Sequence, residues 1–173
     1  MATTTAKSAM FETKIDFDRA TREKLAQLLN QRLADTFDLY SQTKQAHWNV
    51  KGIHFMQLHE LFDEVAGAVE PVVDMIAERV TALGGYASGT ARMAAASSSL
   101  PEYPTDAVAG HEHLEAVIAR FAQYAKDNRE ALERSGDWGD PTTEDLFTEI
   151  SREIDKQLYF LESHLQAGGV EAQ

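Results

Sequence analysis

The stretch "KQAHWNVKGIHFMQLHELFDEV", residues 44–65, contains the end of one helical pattern and the start of another. Upstream of it, apolar residues recur every three or four positions from about Arg19, which is the spacing of one helix face. The members of this first stripe are Leu25, Leu29, Leu33, Phe37 and Tyr40. The segment "NVKG" interrupts the pattern, and its Gly52 is a helix stop signal. A second stripe predicts a helix over about 55–83, on Phe55, Leu58, Phe62, Val65, Val69, Val72, Ile76, Val80 and Leu83.

Two further helices are predicted downstream, over about 105–134 and 143–166. The connection "ARMAAASSSLPEYPTD" that precedes them is long, with room for a short helix of its own, and such a length suits a crossover between parallel helices of a bundle. Thr142 and Asp145 resemble a capping box for the last helix. We therefore expect an all-α fold, a four-helix bundle over 17–167 with a long crossover between helices two and three. A flexible arm over 1–16 and a short tail over 168–173 would flank it.

Composition narrows the class of protein. The 173 residues suit one domain. The net charge of −12 argues against a folded domain that binds phosphate groups, because such a domain needs a basic patch. The chain has no cysteine, which excludes disulfides and thiolate metal sites and fits a reducing compartment. Neither a signal-peptide pattern nor a membrane-spanning apolar run is visible, so a cytoplasmic protein without membrane contact is expected.

A second row of residues on helix two carries negative charge. Spacings of four and seven residues place its members on one face of the helix: His59, Asp63, Glu70, Asp74 and Glu78. The row contains no lysine or arginine, so its carboxylates repel one another unless a cation lies among them. Histidine and carboxylate are ligands expected for iron, manganese or zinc. The apolar stripe of helix one leads to His47, which adds a second imidazole near the interhelical corner.

Geometry separates these ligands into two groups. His59 and Asp74 are 15 residues apart on one helix, which corresponds to about 22 Å at 1.5 Å per residue. One ion cannot touch both within a single chain. Either the two groups serve different purposes, or two chains meet and each contributes one group.

The segments "AHWNVKG", "LHELFDEV" and "DMIAERVTALGG" resemble the signature of the Dps family, the mini-ferritins. The resemblance covers nearly the whole chain, and the spacings of 12, 15 and 4 that link His47, His59, Asp74 and Glu78 match the family's ferroxidase residues. It implies a ferritin-like bundle, a homododecameric shell and a diiron ferroxidase centre at each two-fold interface. It also implies that Fe(II) is oxidised, preferentially by hydrogen peroxide rather than oxygen, and stored as ferric mineral. Zinc is a possible substitute at such a centre.

The resemblance also implies roles for individual residues. His47 and His59 would come from one subunit and Asp74 and Glu78 from its partner. Asp63 matches a further acid of the centre, although it could instead cap or solvate the corner.

Two neighbours of the centre and a pore complete what the resemblance implies. Lys44 lies near the centre, where it could pair with Asp74, and Trp48 would either quench radicals or merely pack. The family reading places an iron-entry pore at the start of helix four, formed by Asp140, Asp145 and Glu149. The alternative for these three acids is stabilisation of the helix N-terminus by negative charge.

Two other functions compete with iron storage. A DNA-coating nucleoid protein with secondary iron oxidation would need basic tails, but the arm carries only Lys7 and Lys14, so DNA binding is expected to be weak or absent. A passive metal-binding bundle would be favoured if the site held zinc or no metal. The remaining histidines are expected to be surface or packing residues: His54, His111, His113 and His164.

Overall fold

Four long helices and one short helix make up the computed structural model, which describes residues 10–166. They are α1 (Arg19–Asn49), α2 (Phe55–Ala82), α3 (Ala91–Ser97), α4 (Gly110–Asp137) and α5 (Pro141–Gln166). Helix α1 packs along α2 and α4 packs along α5, while α1–α4 and α2–α5 contacts close the bundle. The predicted all-α, ferritin-like bundle is confirmed, and the long crossover between α2 and α4 contains the short helix α3. In the described residues, no helix is long and apolar enough to cross a membrane.

The two apolar stripes around the opening stretch form the centre of the core. Leu25, Leu29 and Leu33 of α1 are completely buried, as are Phe62 and Ile76 of α2. Helix α2 continues through Pro71 without interruption. Phe55 was predicted to belong to the stripe but is 37% exposed, because it occupies the first turn of α2, at the edge of the bundle.

Helix α4 begins five residues later than the sequence pattern predicted. Residues 105–109 form a loop, and Val108, which was assigned to the apolar stripe, is 58% exposed. The carboxylate of Glu112 accepts hydrogen bonds from the backbone N–H groups of Val108 and Ala109, both at 2.8 Å. This arrangement satisfies donors at the helix start, so the helix begins at Gly110.

The cap of α5 also differs from the prediction. Asp140, rather than Thr142, precedes the helix, and its carboxylate accepts hydrogen bonds from the N–H groups of Thr142 and Thr143, both at 3.1 Å. An acidic N-cap of this kind satisfies the free donors of the first turn. The predicted capping box of Thr142 and Asp145 is therefore wrong.

The part of the predicted arm that the structure describes, residues 10–16, lies against the bundle. The N–H of Phe11 donates to the carbonyl of Gly84 at 2.7 Å, and the guanidinium of Arg22 donates to the carbonyl of Phe11 at 3.0 Å. Met10 and Ile15 pack against the core. The rest of the arm and the predicted tail, residues 168–173, lie outside the described residues.

Candidate metal centre

Two histidines hold the corner between α1 and α2 together. His47 lies in the last turn of α1 and His59 in the second turn of α2, and their rings stack with centroids 3.8 Å apart. Nδ1 of His47 lies 2.7 Å from the backbone carbonyl of His59, and Nδ1 of His59 lies 2.9 Å from the carbonyl of His47. Each imidazole is thus fixed by the backbone of the residue that carries the other.

This reciprocal pair determines which nitrogen of each ring is free. A carbonyl oxygen can only accept, so Nδ1 of both rings carries the proton and donates. In the neutral form, Nε2 of both His47 and His59 then presents a lone pair. A backbone hydrogen bond on one ring nitrogen is the usual arrangement behind a metal-binding histidine, because it sets the tautomer and the ring orientation.

Asp63 lies one turn after His59 and adds negative charge beside the two rings. Its Oδ1 is 4.0 Å from Nε2 of His47, and it forms an ion pair with the ammonium of Lys44. The hydrogen bond from Lys44 holds the pKa of Asp63 below its usual range, and the charges of Lys44 and the two histidines act in the same direction. Asp63 is therefore an ionised, largely exposed carboxylate beside the nitrogen pair, and its predicted role as a ligand stays a prediction. Lys44 pairs with Asp63 of its own chain, and its predicted pairing with Asp74 at the centre stays a prediction.

Trp48 lies outside the core at the same corner. It is 62% exposed, and the ammonium of Lys44 lies 5.9 Å from its ring centroid. Within one chain the indole is not packed in the core, and its two predicted roles, packing and radical quenching, stay predictions. Trp48 is available to contact either a second chain or a reactive species at the centre.

The two remaining predicted ligands lie further along α2. Asp74 and Glu78 are exposed and one helical turn apart, and within residues 10–166 neither carboxylate forms an ion pair. The intervening helix separates Asp74 from His59 by about 22 Å and Glu78 from His59 by about 28 Å. Within the described part of one chain, no three histidine or acidic side chains come close enough to hold an ion. In this part of the chain, His47, His59 and Asp63 thus lie side by side at one corner without closing into a three-ligand cluster, and Asp74 and Glu78 lie apart from them.

Among the predicted pore residues, Asp140 differs from the other two. It is completely buried, and both its oxygens accept hydrogen bonds from the guanidinium of Arg79, at 2.9 and 2.8 Å. Burial raises the pKa of Asp140, but hydrogen bonds from Thr143 and Arg79 outweigh it and hold the pKa below its usual range. Asp145 and Glu149, in contrast, are exposed and one turn apart on α5. Asp140 therefore fastens α5 to α2, while only Asp145 and Glu149 present free carboxylates.

Tyr103 and His113 form a partly buried pair that the sequence pattern does not indicate. His113, expected to be a surface or packing residue, is 1% exposed, and its Nδ1 lies 2.6 Å from the hydroxyl of Tyr103. Burial lowers the pKa of His113 and raises that of Tyr103 to about 12, so both groups are neutral near pH 7. The pair joins the crossover to α4. No spacing in the sequence indicates this contact, because Tyr103 lies in an irregular segment.

Comparison with known proteins gives a consistent result. Residues 26–168 match the sequence profile of ferritin, described as a ferritin-like domain. The DNA protection during starvation protein of Agrobacterium fabrum is 43% identical over 155 residues, which is 90% of this chain and 96% of that protein. DpsC from Streptomyces coelicolor has a similar structure, with a TM-score of 0.86 and 32% identity over 91% of this chain and 92% of DpsC. The Dps protein of Vibrio cholerae O1, described as a member of a broad superfamily of ferritin-like diiron-carboxylate proteins, has a TM-score of 0.83 and 29% identity over 91% of this chain and 98% of its own.

Proposed function

The chain belongs to the Dps family of ferritin-like proteins, and from that premise we propose that it oxidises Fe(II) and stores the ferric product inside a shell of twelve copies. The observation that carries the proposal is the reciprocal histidine pair. Two imidazoles held by each other's backbone direct both free Nε2 lone pairs to one corner, next to the ionised Asp63. Nitrogen and carboxylate oxygen together suit Fe(II).

The second half of the site would come from a partner chain. Asp74 and Glu78 form an exposed carboxylate pair with no ion-pair partner among residues 10–166, and the helix keeps them at least about 22 Å from His59 of their own chain. In a two-fold dimer, the same surface of each chain faces the other, so His47 and His59 of one chain can meet Asp74 and Glu78 of its neighbour. Each dimer then contains two equivalent centres, and neither exists in a monomer.

Different residues would have different roles in the oxidation of Fe(II). Iron is the substrate, and the histidine nitrogens of one chain and the carboxylates of the other would hold two Fe(II) ions side by side. Hydrogen peroxide accepts one electron from each ion, so that two Fe(II) and one H₂O₂ with two H₂O give two FeOOH and four H⁺. Two-electron reduction of peroxide releases no hydroxyl radical. Lys44 would keep Asp63 ionised, and the exposed Trp48 lies where it could reduce a stray oxidant.

Entry of iron would use exposed acids at the start of α5. Asp145 and Glu149 carry no ion-pair partner within residues 10–166 and lie one turn apart. Three such pairs around a symmetry axis would attract Fe(II) toward the shell. Asp140 has no part in this proposal, because its carboxylate is buried against Arg79.

Anaerobic loading with Fe(II), followed by hydrogen peroxide, tests the proposal. We expect ferric absorbance to rise with two Fe(II) consumed per peroxide and with little spin-trapped hydroxyl radical. Light scattering on the same sample should report a particle of twelve chains. Consumption of one Fe(II) per peroxide with abundant trapped radical would refute the ferroxidase assignment, and a stable monomer at micromolar concentration would refute the shared centre. Zinc titrated beforehand should inhibit the reaction if it substitutes at the same ligands.

A further inference from the structure

A cavity of about 540 Å³ lies at one end of the bundle, and neither His47 nor His59 lines it. It is formed where the loop before α2 and the first turn of α4 meet the last turn of α5. Volumes of 300–1,000 Å³ are typical of sites for small organic molecules. The metal centre proposed above uses none of the residues that line this cavity.

The floor and one wall of the cavity are apolar. Leu58 and Leu114 line it and are 4% and 3% exposed, so they belong to the hydrophobic core. Ile53 and Leu165 also line it, but Ile53 is 92% exposed and Leu165 is 36% exposed. A nearly fully exposed isoleucine beside an apolar floor is a surface that a hydrocarbon ligand would remove from water.

Apart from the neutral amide of Gln57, the polar side chains around this apolar surface are basic or contain imidazole. Lys51, His54, His111 and His164 line the cavity, and no carboxylate is among its lining residues. This is unusual for a chain of net charge −12. The cleft between α1 and α4, for comparison, mixes lysine and arginine with Asp127 and Glu130.

The ammonium of Lys51 is not neutralised by an acid within residues 10–166. Its Nζ lies 3.3 and 3.2 Å from the backbone carbonyls of Asn49 and Val50, and it forms no ion pair there. Glu112 follows His111 directly, but its carboxylate accepts hydrogen bonds from the N–H groups of Val108 and Ala109. A positive charge at the rim is therefore free to meet an anion.

We propose that this cavity binds a small organic carboxylate with an unbranched aliphatic body. The carboxylate would pair with Lys51 and accept hydrogen bonds from the imidazoles of His54 and His111, while the chain would cover Leu58, Leu114 and Ile53. His164 donates its Nδ1 proton to the carbonyl of Phe160, at 2.8 Å, and so adds a further donor only when protonated.

A metal site is the other reading of three imidazoles around one cavity. Within residues 10–166 these imidazoles do not form a three-ligand cluster, and, unlike at the corner of His47 and His59, no carboxylate lies beside them. The apolar floor also has no purpose in a metal site. An aliphatic carboxylate uses both the charge at the rim and the hydrocarbon surface below it.

Calorimetry with the full-length, metal-free protein tests the inference, with butanoate, hexanoate and octanoate as probes near pH 7. Each added methylene that is buried should tighten binding about fourfold. Octanol, which has the same chain length without the charge, should bind at least tenfold more weakly than octanoate. Lys51→Gln/His111→Gln should weaken octanoate binding at least tenfold, whereas Lys126→Gln, which removes an exposed charge elsewhere on α4, should leave it unchanged.

A second variant separates the hydrocarbon contact from the charge. Ile53→Asn should weaken octanoate binding several-fold and butanoate binding little, because only the longer chain reaches the apolar wall. Equal binding of octanol and octanoate would overturn the carboxylate assignment. Full octanoate affinity in Lys51→Gln/His111→Gln would overturn the location. Absence of octanoate binding to the assembled protein would overturn the inference itself.

Discussion

Mixing two inactive variants tests whether the two halves of the proposed centre come from different chains. One variant is His47→Ala/His59→Ala, which keeps Asp74 and Glu78. The other is Asp74→Ala/Glu78→Ala, which keeps both histidines. Each alone should lose fast peroxide-driven Fe(II) oxidation, because every centre in the assembly lacks either its nitrogens or its carboxylates.

The magnitude follows from the geometry of α2. Because about 22 Å separates His59 from Asp74 on one helix, a centre is complete only when its histidines and its acids belong to different chains. In an equal mixture after dissociation and reassembly, a centre has a one-half chance of intact histidines and an independent one-half chance of intact acids. One quarter of the centres should therefore be whole, and about a quarter of wild-type activity should return.

The two variants are expected to differ in stability, which the assay must control. The histidine variant loses two hydrogen bonds to backbone carbonyls, at a cost of about 1–3 kcal/mol in the free energy of unfolding. The acid variant loses two exposed carboxylates without ion-pair partners in residues 10–166, and should change by no more than about 0.5 kcal/mol. Circular dichroism should confirm helices in both, and mass-tagged subunits should confirm mixing. Verified mixing without any return of activity would refute the shared centre.

Three further predictions concern other parts of the molecule. Asp140→Ala should lower the free energy of unfolding by about 3–5 kcal/mol in urea titrations, because it leaves Arg79 without its partner. Asp145→Ala, a nearby control in the first turns of α5, should change it by less than about 0.5 kcal/mol. Equal effects of the two substitutions would contradict the assigned roles. The pKa of Asp140 is lowered in the folded chain, so its contribution to stability is complete above about pH 4 and is lost as the pH falls through the folded-state pKa. The urea midpoint of the wild-type protein should therefore fall more steeply with acid than that of Asp140→Asn. Plasmid DNA should not be retarded in gels at physiological salt, since the net charge is −12 per chain, and clear retardation there would restore the DNA-coating alternative.

The long helices could be predicted because their signal is local. An apolar residue at every third or fourth position records the buried face directly, and α1 and α2 begin and end within a residue or two of the predicted limits. The start of α4 could not be predicted in this way. It depends on the Glu112 side chain folding back onto Val108 and Ala109, and the same apolar residues would fit a helix that began earlier.

In the candidate site as well, the features that spacing indicates could be predicted, and those that depend on tertiary contacts could not. His47 was visible as an imidazole at the end of an apolar stripe, and His59, Asp74 and Glu78 as a row on one face of α2. The reciprocal hydrogen bonds that fix the tautomers were not visible, because they join side chains and carbonyls across the corner. The burial of Asp140 was equally hidden, since its partner Arg79 lies 61 residues away. Spacing therefore identifies which residues can act, while tertiary contacts decide which of them are free to do so.

The two halves of the centre differ in how far they are organised before they meet. The histidine half is rigid, since each ring is held by a backbone carbonyl, and Asp63 is held by Lys44. The carboxylate half, Asp74 and Glu78, is exposed, and its like charges repel. An ion that bridges the two halves relieves the repulsion between the carboxylates and binds only to paired chains. By thermodynamic linkage, the factor by which association tightens ion binding is the same factor by which the ion favours association. If the proposed shared centre is correct, iron binding and assembly are two aspects of one equilibrium, which a site contained within a single chain would not couple.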